Sequence, residues 1–253
     1  MLVQAHRGVS TEYPENTMPA FAASYEQGYP IIEFDPLFTA DGECVVIHDK
    51  TVNRTCRNAD GSEIGEPVGV AELTLAQLQA LDAGIFMGEQ FRGTKVPLLR
   101  EVLAFAREKR LQVKIDNRFA DFPQWQQDKL FAIVKESGIH PGFTCKNPEI
   151  TRKVLEWFPD ATIHYDGYVD EETVLQIKSL LKGNRFVIWL PMPSKLTSWV
   201  KVPLATPELC AMVKKYGELG LWILETGEQA AQAAALGADI IETTGSIKPA
   251  DCI

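Results

Sequence analysis

Residues 162–190, TIHYDGYVDEETVLQIKSLLKGNRFVIWL, decide the fold. They read as a strand over Thr162–Tyr165, a helix over Glu171–Leu181 and a strand over Arg185–Leu190. Continuously apolar strands separated by a helix form a parallel crossover unit, because helices must cover both faces of such a sheet. The alternation continues outward. Downstream come a helix over Pro207–Tyr216, a strand over Leu221–Leu224, a helix over Gly227–Leu236 and a closing strand over Asp239–Ile241. Upstream lie strands over Gln112–Asp116 and Phe143–Cys145, with helices over Leu99–Arg110, Gln124–Ser137 and Pro148–Trp157. The amino-terminal part adds a strand over Leu2–Ala5 and a helix over Met18–Gln27, where Met18, Phe21, Ala22 and Tyr25 recur at helical spacing before Gly28 stops it. A strand over Ile31–Asp35 follows, with Val45–His48 as a hairpin arm beyond the Asp41-Gly42 turn.

Eight core strands with helices between them predict an α/β fold closed into a barrel. The alternative is an open doubly wound sheet, but residues 1–40 hold neither GxGxxG nor GxxxxGK[ST]. Residues 49–95 are turn-rich with one short helix, Leu75–Leu81, and read as a small insertion within a single barrel domain spanning 1–253.

Composition narrows the function. The 253 residues are 45% hydrophobic and 23% charged, with a formal net charge of −9. No Lys/Arg run appears, so nucleic acid is not an expected partner. The acidity disfavours an anionic membrane surface, and no apolar run reaches the roughly 20 residues of a membrane span. His6 and Arg7 interrupt the first ten residues, so no signal peptide is expected. Five scattered cysteines without a CxxC pair exclude a disulfide framework and a zinc-thiolate site. Reduced thiols in a cytoplasmic protein are the expectation.

The active site of a parallel barrel lies at the carboxyl ends of its strands. His6 and Arg7 directly follow the first strand, and Glu33 and Asp35 end the second on one shared face. His48 ends the hairpin arm, Asp116 ends strand 112–116, and Arg118 is two residues further on. Taken singly, a Glu-x-Asp at a strand end is a solvated loop start and a lone His a structural one. Together they map to one end of one barrel. Glu33, Asp35 and Asp116 make an oxygen-only donor set suited to Mg²⁺ or Ca²⁺. His6 and His48 suit general acid and base work, and the arginines suit phosphate. His140, His164, Trp189 and Lys146 read as structural or solvated, Met192 as placed to line the pocket from the loop after strand 185–190, and residues 191–206 as a lid or substrate loop.

His6-Arg7-Gly8, Pro14-Glu15-Asn16-Thr17, Glu33-Phe34-Asp35, Thr39-Ala40-Asp41-Gly42, His48-Asp49 with Asn53-Arg54-Thr55, and Leu81-Asp82-Ala83-Gly84 follow one another in order, and in this series the chain resembles the glycerophosphodiester phosphodiesterase family. Phe91-Arg92-Gly93, Val96-Pro97-Leu98-Leu99 and Leu236-Gly237-Ala238-Asp239-Ile240-Ile241 extend it. It is strongest over residues 5–100 and thin over 140–220. It implies a TIM barrel with a small insertion, and metal-dependent hydrolysis of glycerophosphodiesters to an alcohol and sn-glycerol 3-phosphate. It also implies Glu33 and Asp35 as metal ligands, His6 and His48 as base and acid, Arg7 on phosphate, Glu15 completing the site and Trp222 against the substrate.

Two departures stand out. Where the family has Glu-x-Lys at the end of the third barrel strand, this chain has Lys114-Ile115-Asp116-Asn117-Arg118. Pairing Asp116 with the glutamate and Arg118 with the lysine keeps the spacing and the charge. After Trp222, Ile223 and Glu225 replace the usual polar pair, which sets a carboxylate near an anionic substrate. Thr243-Thr244-Gly245 also stands where the family often has Thr-Asp. Two other readings remain: a cyclising or phospholipase D-like action on a lipid phosphodiester, and binding of a phosphodiester without turnover.

Overall fold

Eight parallel strands close into a barrel in the computed structural model, which describes residues 1–195 and 197–252. In chain order the strands are β1 (Leu2–Ala5), β2 (Ile31–Phe34), β3 (Pro36–Phe38), β4 (Cys44–Val46), β5 (Gln112–Ile115), β6 (Pro141–Cys145), β7 (Thr162–Tyr165), β8 (Phe186–Pro191), β9 (Glu218–Leu224) and β10 (Ile240–Thr243). The helices are α1 (Met18–Glu26), α2 (Leu75–Ala80), α3 (Leu99–Lys109), α4 (Gln124–Ser137), α5 (Pro148–Trp157), α6 (Glu171–Leu180), α7 (Pro207–Lys214) and α8 (Gly227–Ala235). The barrel order is β1-β10-β9-β8-β7-β6-β5-β2, and the β1–β2 and β1–β10 pairings close it. The expected TIM barrel is thus the observed fold.

The expected hairpin forms around the Asp41-Gly42 turn, but with a different partner: β4 pairs antiparallel with β3 in a separate two-stranded sheet, not with the barrel strand β2. The cause is Pro36, which lacks an N–H and ends the barrel ladder at Phe34. The chain then leaves the barrel from Pro36, earlier than position 49. Leu37, Val45, Ile47, Val52, Leu78 and Val96 gather in a hydrophobic cluster of their own beside the barrel. Ile47 N–H donates to the Asp35 carbonyl at 2.9 Å, which brings His48 back over the barrel mouth.

The main core lies between strands and helices, around Phe34, Phe119, Phe131, Phe143 and Phe158. Inside the barrel, Ile31, Val187, Trp189 and Ile240 fill the lower layer. Gly220 permits this filling, because a Cβ there would come within 2.5 Å of the Trp189 ring. Helix starts next to the barrel mouth are pinned by side-chain caps. Asn147, Asp170, Thr206 and Thr226 each accept an N–H from the first turn of α5, α6, α7 and α8. The loops joining β6–β9 to these helices are therefore anchored at their far ends.

Candidate active site

Side chains alternate along a strand, so every second residue enters the barrel. Gln4 then His6, Glu33 then Asp35, and Lys114 then Asp116 therefore form two polar layers above the apolar floor. They open into a cavity of about 510 Å³ lined by His6, Arg7, Glu33, Asp35, His48, Lys114, Asp116, Arg118, Asp166, Trp222 and Glu242, among others.

The turn after β1 sets the first groups. Arg7 adopts a left-handed backbone, φ +59°, held by its N–H to Glu33 Oε2 at 3.0 Å and by Asn16 N–H to its carbonyl at 2.9 Å. Gly8 follows at φ +80°, where a Cβ would sit 2.7 Å from that of Ala20. This close approach explains the glycine after His6-Arg7. The Arg7 side chain reaches Asp35 Oδ2 at 3.3 Å and Glu15 Oε1 at 3.0 Å. Asn16 Nδ2 donates to Asp35 Oδ2 at 2.7 Å.

Glu33, Asp35 and Asp116 each present an oxygen within 4.8 Å of the others. Burial, then the negative charges of Asp35 and Glu242, pushes the Glu33 carboxyl well above its usual range. Burial and Asp35 likewise push Asp116 up to about 7, against the opposing pull of Arg118. Three crowded carboxylates, of which Glu33 and Asp116 are pushed above their usual range, make a donor set a divalent cation would satisfy. The oxygen-only chemistry fits Mg²⁺ or Ca²⁺ rather than zinc.

His6 is partly buried in the cavity wall, and this burial lowers its pKa to about 4; the Glu242 charge opposes the shift and Arg7 adds to it. It is neutral at pH 7. His48 is held on both ring nitrogens. Asp49 Oδ1 lies 2.6 Å from Nδ1, and Arg118 Nη2 lies 2.6 Å from Nε2. Nδ1 therefore carries the hydrogen and Nε2 the lone pair. Burial lowers the His48 pKa, while Asp35 and Asp49 oppose the shift. Arg118 also lies 3.4 Å from Asp35 Oδ1 and 3.6 Å from Asp116 Oδ1.

Two sequence expectations change. Glu15 lies behind the cavity and does not line it. It accepts from Arg7 and from Arg54 Nη1 and Nη2, and these arginines hold its pKa near 2 against the cost of burial. Glu225 is exposed, with its N–H given to Gln229 at the start of α8, so the cavity receives Ile223 instead. Glu225 therefore does not line the cavity where it was expected to meet an anionic substrate. His164 faces inward, accepting from Trp189 Nε1 at 3.0 Å, while His140 is exposed near Asp160. Met192 is buried and does not line the cavity as expected, and Lys146 pairs with Asp121. In the 191–206 loop, Ala205 N–H closes onto the Pro191 carbonyl at 2.9 Å, and Trp199 lines the cavity with 72% of its surface exposed. Leu196 lies outside the described residues.

Sequence reasoning missed Lys114, Asp166 and Glu242. Asp166 directly follows the strand Thr162–Tyr165, so the rule that found His6 also finds it. Burial raises its pKa to about 6, opposed by Lys114 and reinforced by Glu242. Lys114 Nζ meets Glu242 Oε2 at 2.7 Å and lies 4.1 Å from the Trp189 ring centroid.

Residues 6–147 match the profile of the Glycerophosphoryl diester phosphodiesterase family. A glycerophosphodiester phosphodiesterase of Caldanaerobacter subterraneus subsp. tengcongensis is 44% identical over 115 residues, covering 46% of this chain and 44% of that protein. One of Bacillus altitudinis is 34% identical over 122 residues, covering 47% of this chain and 46% of that protein. These matches span less than half the length of either relative. In fold, the chain superposes with TM-score 0.76 on an Oleispira antarctica phosphodiesterase solved with the product sn-glycerol-3-phosphate, at 18% identity, covering 97% of this chain and 94% of that one. A Parabacteroides distasonis glycerophosphoryl diester phosphodiesterase also gives TM-score 0.76, at 21% identity, covering 99% of this chain and 84% of that one.

Proposed function

The chain belongs to the glycerophosphoryl diester phosphodiesterase family, and from that premise we propose that it hydrolyses glycerophosphodiesters to an alcohol and sn-glycerol 3-phosphate. The supporting observation is that His6 and His48 share one cavity with the Glu33–Asp35–Asp116 cluster. We read residues 1–253 as one barrel domain carrying an insertion. Five free thiols, four of them buried, support a reducing compartment such as the cytoplasm. No helix among the described residues is long and apolar enough to cross a membrane.

Glu33, Asp35 and Asp116 would hold the divalent cation, Mg²⁺ or Ca²⁺. When bound, the cation supplies Lewis-acid polarisation of a phosphoryl oxygen and a template for the substrate. Arg7 and Arg118 hold the phosphate oxygens and balance the charge that develops on them. His6, neutral and partly buried, takes the proton of the nucleophile, which is water or the substrate's own glycerol hydroxyl. His48, its Nδ1–H fixed by Asp49, takes up a proton from solvent on the Nε2 lone pair once Arg118 has left it, and passes that proton to the leaving oxygen. Arg118 yields its contact with Nε2 when phosphate enters. Glu15 acts behind this layer by orienting Arg7. Trp222 and Trp199 face the rest of the substrate.

The test is release of phosphomonoester from glycerophosphocholine, glycerophosphoethanolamine and glycerophosphoglycerol, with EDTA, Mg²⁺ or Ca²⁺, and His6→Ala as control. Cation-dependent sn-glycerol 3-phosphate that vanishes in His6→Ala supports the reading. No turnover of any diester by protein with cation bound would overturn it.

A further inference from the structure

Glu33 on β2 and Lys114 on β5 are register partners on adjacent parallel strands. Side chains so placed emerge on the same face, here the barrel interior, within easy reach of each other. The neighbouring Glu33 carboxylate is therefore the default partner of the Lys114 ammonium. The structure has another arrangement. Lys114 Nζ sits 2.7 Å from Glu242 Oε2 on β10, with both side chains almost fully buried, at 6% and 5% exposure. The Trp189 ring, 4.1 Å from Nζ at its centroid, supports the ammonium with its π-face. Gln4, the register partner of Glu242 on β1, donates its side-chain amide to the same Glu242 oxygen. Among the described residues, Glu33 makes no ion pair within 4.0 Å; it accepts the Arg7 backbone N–H at 3.0 Å and presents an oxygen to the Asp35–Asp116 cluster.

We propose that Glu242 is a positioning residue: it draws the Lys114 ammonium across the barrel floor and so keeps the Glu33 carboxylate open to the divalent cation. An ammonium in contact with Glu33 would compete for the same oxygens and would repel the incoming cation at short range in a poorly screened interior. Glu242 supplies a compensating charge that Lys114 reaches at 2.7 Å without an ion pair to the cluster. Trp189 and Gln4 fix that pairing. A buried pair of this kind is weak evidence for stability. Its role here is to decide which carboxylate the lysine occupies.

The inference rests on the cation reading above and is tested by direct cation binding, without turnover. Mg²⁺ and Ca²⁺ are titrated calorimetrically into the unaltered protein, Glu242→Gln and the Lys114→Met/Glu242→Gln double variant, each checked for folding by circular dichroism. Glu242→Gln should bind at least ~10-fold more weakly, because the released ammonium turns to Glu33. The double variant should bind at least as tightly as the unaltered protein, because no ammonium remains to compete. This second comparison stands even if Glu242→Gln alone fails to fold. Unchanged affinity in Glu242→Gln overturns the inference. A double variant that binds more weakly than the unaltered protein also overturns it, since Glu242 would then serve the cation with its own charge. No binding by the unaltered protein would overturn the cation reading and this inference together, whereas normal binding left unmoved by the variants overturns this inference alone.

Discussion

Asp49 Oδ1 lies 2.6 Å from His48 Nδ1, and this contact between sequence neighbours fixes which ring nitrogen faces the cavity. The same carboxylate accepts from Arg54 Nε at 2.6 Å, Arg54 continues to Glu15, and Glu15 continues to Arg7. His48 and Arg7 are thus the two ends of one charged chain along the rim. Burial raises the Asp49 pKa, but Arg54 and His48 overcome it and hold the pKa near 2. Asp49 is therefore ionised at every pH at which His48 works.

His48→Ala should lower kcat by at least ~10², the usual worth of a positioned proton donor. Asp49→Asn should lower kcat with little change in KM, because Nε2 then loses its enforced tautomer while the phosphate contacts stay. Steady-state kinetics on a glycerophosphodiester check both. An Asp49→Asn protein with native kcat would separate this carboxylate from the chemistry.

Arg54 is 47% exposed and touches nothing in the cavity, yet it joins Asp49 to Glu15. Arg54→Gln should cost roughly 10-fold in kcat/KM by loosening both ends of the chain, with stability changed by about 1 kcal/mol or less, as for exposed pairs. Measured kcat/KM and denaturant midpoints check the two parts separately.

His6 gives a pH dependence of defined sign. Its folded pKa of about 4 lies below the ordinary value of 6.5 because the ring is partly buried. Between these values the unfolded chain binds the proton more readily, so stability falls as pH falls from 6.5 to 4. The full effect is about 3 kcal/mol. Urea unfolding of the protein and of His6→Gln in EDTA, compared between pH 4 and 7, isolates it. The two stability curves should converge toward pH 4 and part as pH rises; parallel curves would contradict the burial argument.

The barrel was legible from the sequence because its strands are short apolar runs and its helices recur between them, with a stop signal such as Gly28 after the first. The upper polar layer was legible because His6, Asp35 and Asp116 stand at strand ends, where an apolar pattern breaks. The layer beneath was not. Lys114 and Glu242 lie inside strands that read as apolar, and a charge inside such a run shows its partner only when the barrel closes β5 against β10 across its interior. Ending the last strand at Ile241 also left Glu242 outside it, whereas β10 continues to Thr243. The hairpin turn was legible in Asp41-Gly42, but its first strand was not: period and composition do not separate Pro36–Phe38 from the barrel strand that Pro36 ends.

Cation removal should show in stability as well as in activity. Without a cation, the raised pKa of Asp116, about 7, means the folded state holds a proton that the unfolded state releases near 3.8. Stability from this group is present below 3.8 and is lost as pH rises through 7. In EDTA, the Tm of the unaltered protein relative to Asp116→Asn should therefore fall as pH rises from 4 to 7, which separates this group from the opposite pH dependence of His6. Mg²⁺ or Ca²⁺ at 100 times its Kd should restore about 2.7 kcal/mol, through binding to the folded state alone. Asp116→Asn should also weaken the response to cation. Scanning calorimetry at several pH values, with and without cation, checks all three.

Trp199 offers the last separation, between binding and chemistry. It lines the cavity from the loop between Pro191 and Ala205 with most of its ring in solvent. Trp199→Ala should therefore leave stability within about 0.5 kcal/mol, as for other exposed substitutions. A rim residue that contacts the bound substrate equally before and during reaction contributes uniform binding, so its loss raises KM and leaves kcat unchanged. We expect a KM increase of several-fold on the preferred diester, partly restored in Trp199→Phe, which keeps an aromatic face. Steady-state kinetics across diesters with choline, ethanolamine and glycerol leaving groups would also show whether the ring contacts the leaving alcohol. A KM rise confined to one head group places Trp199 against it, and an equal rise for all three places the ring against the shared glycerophosphoryl half.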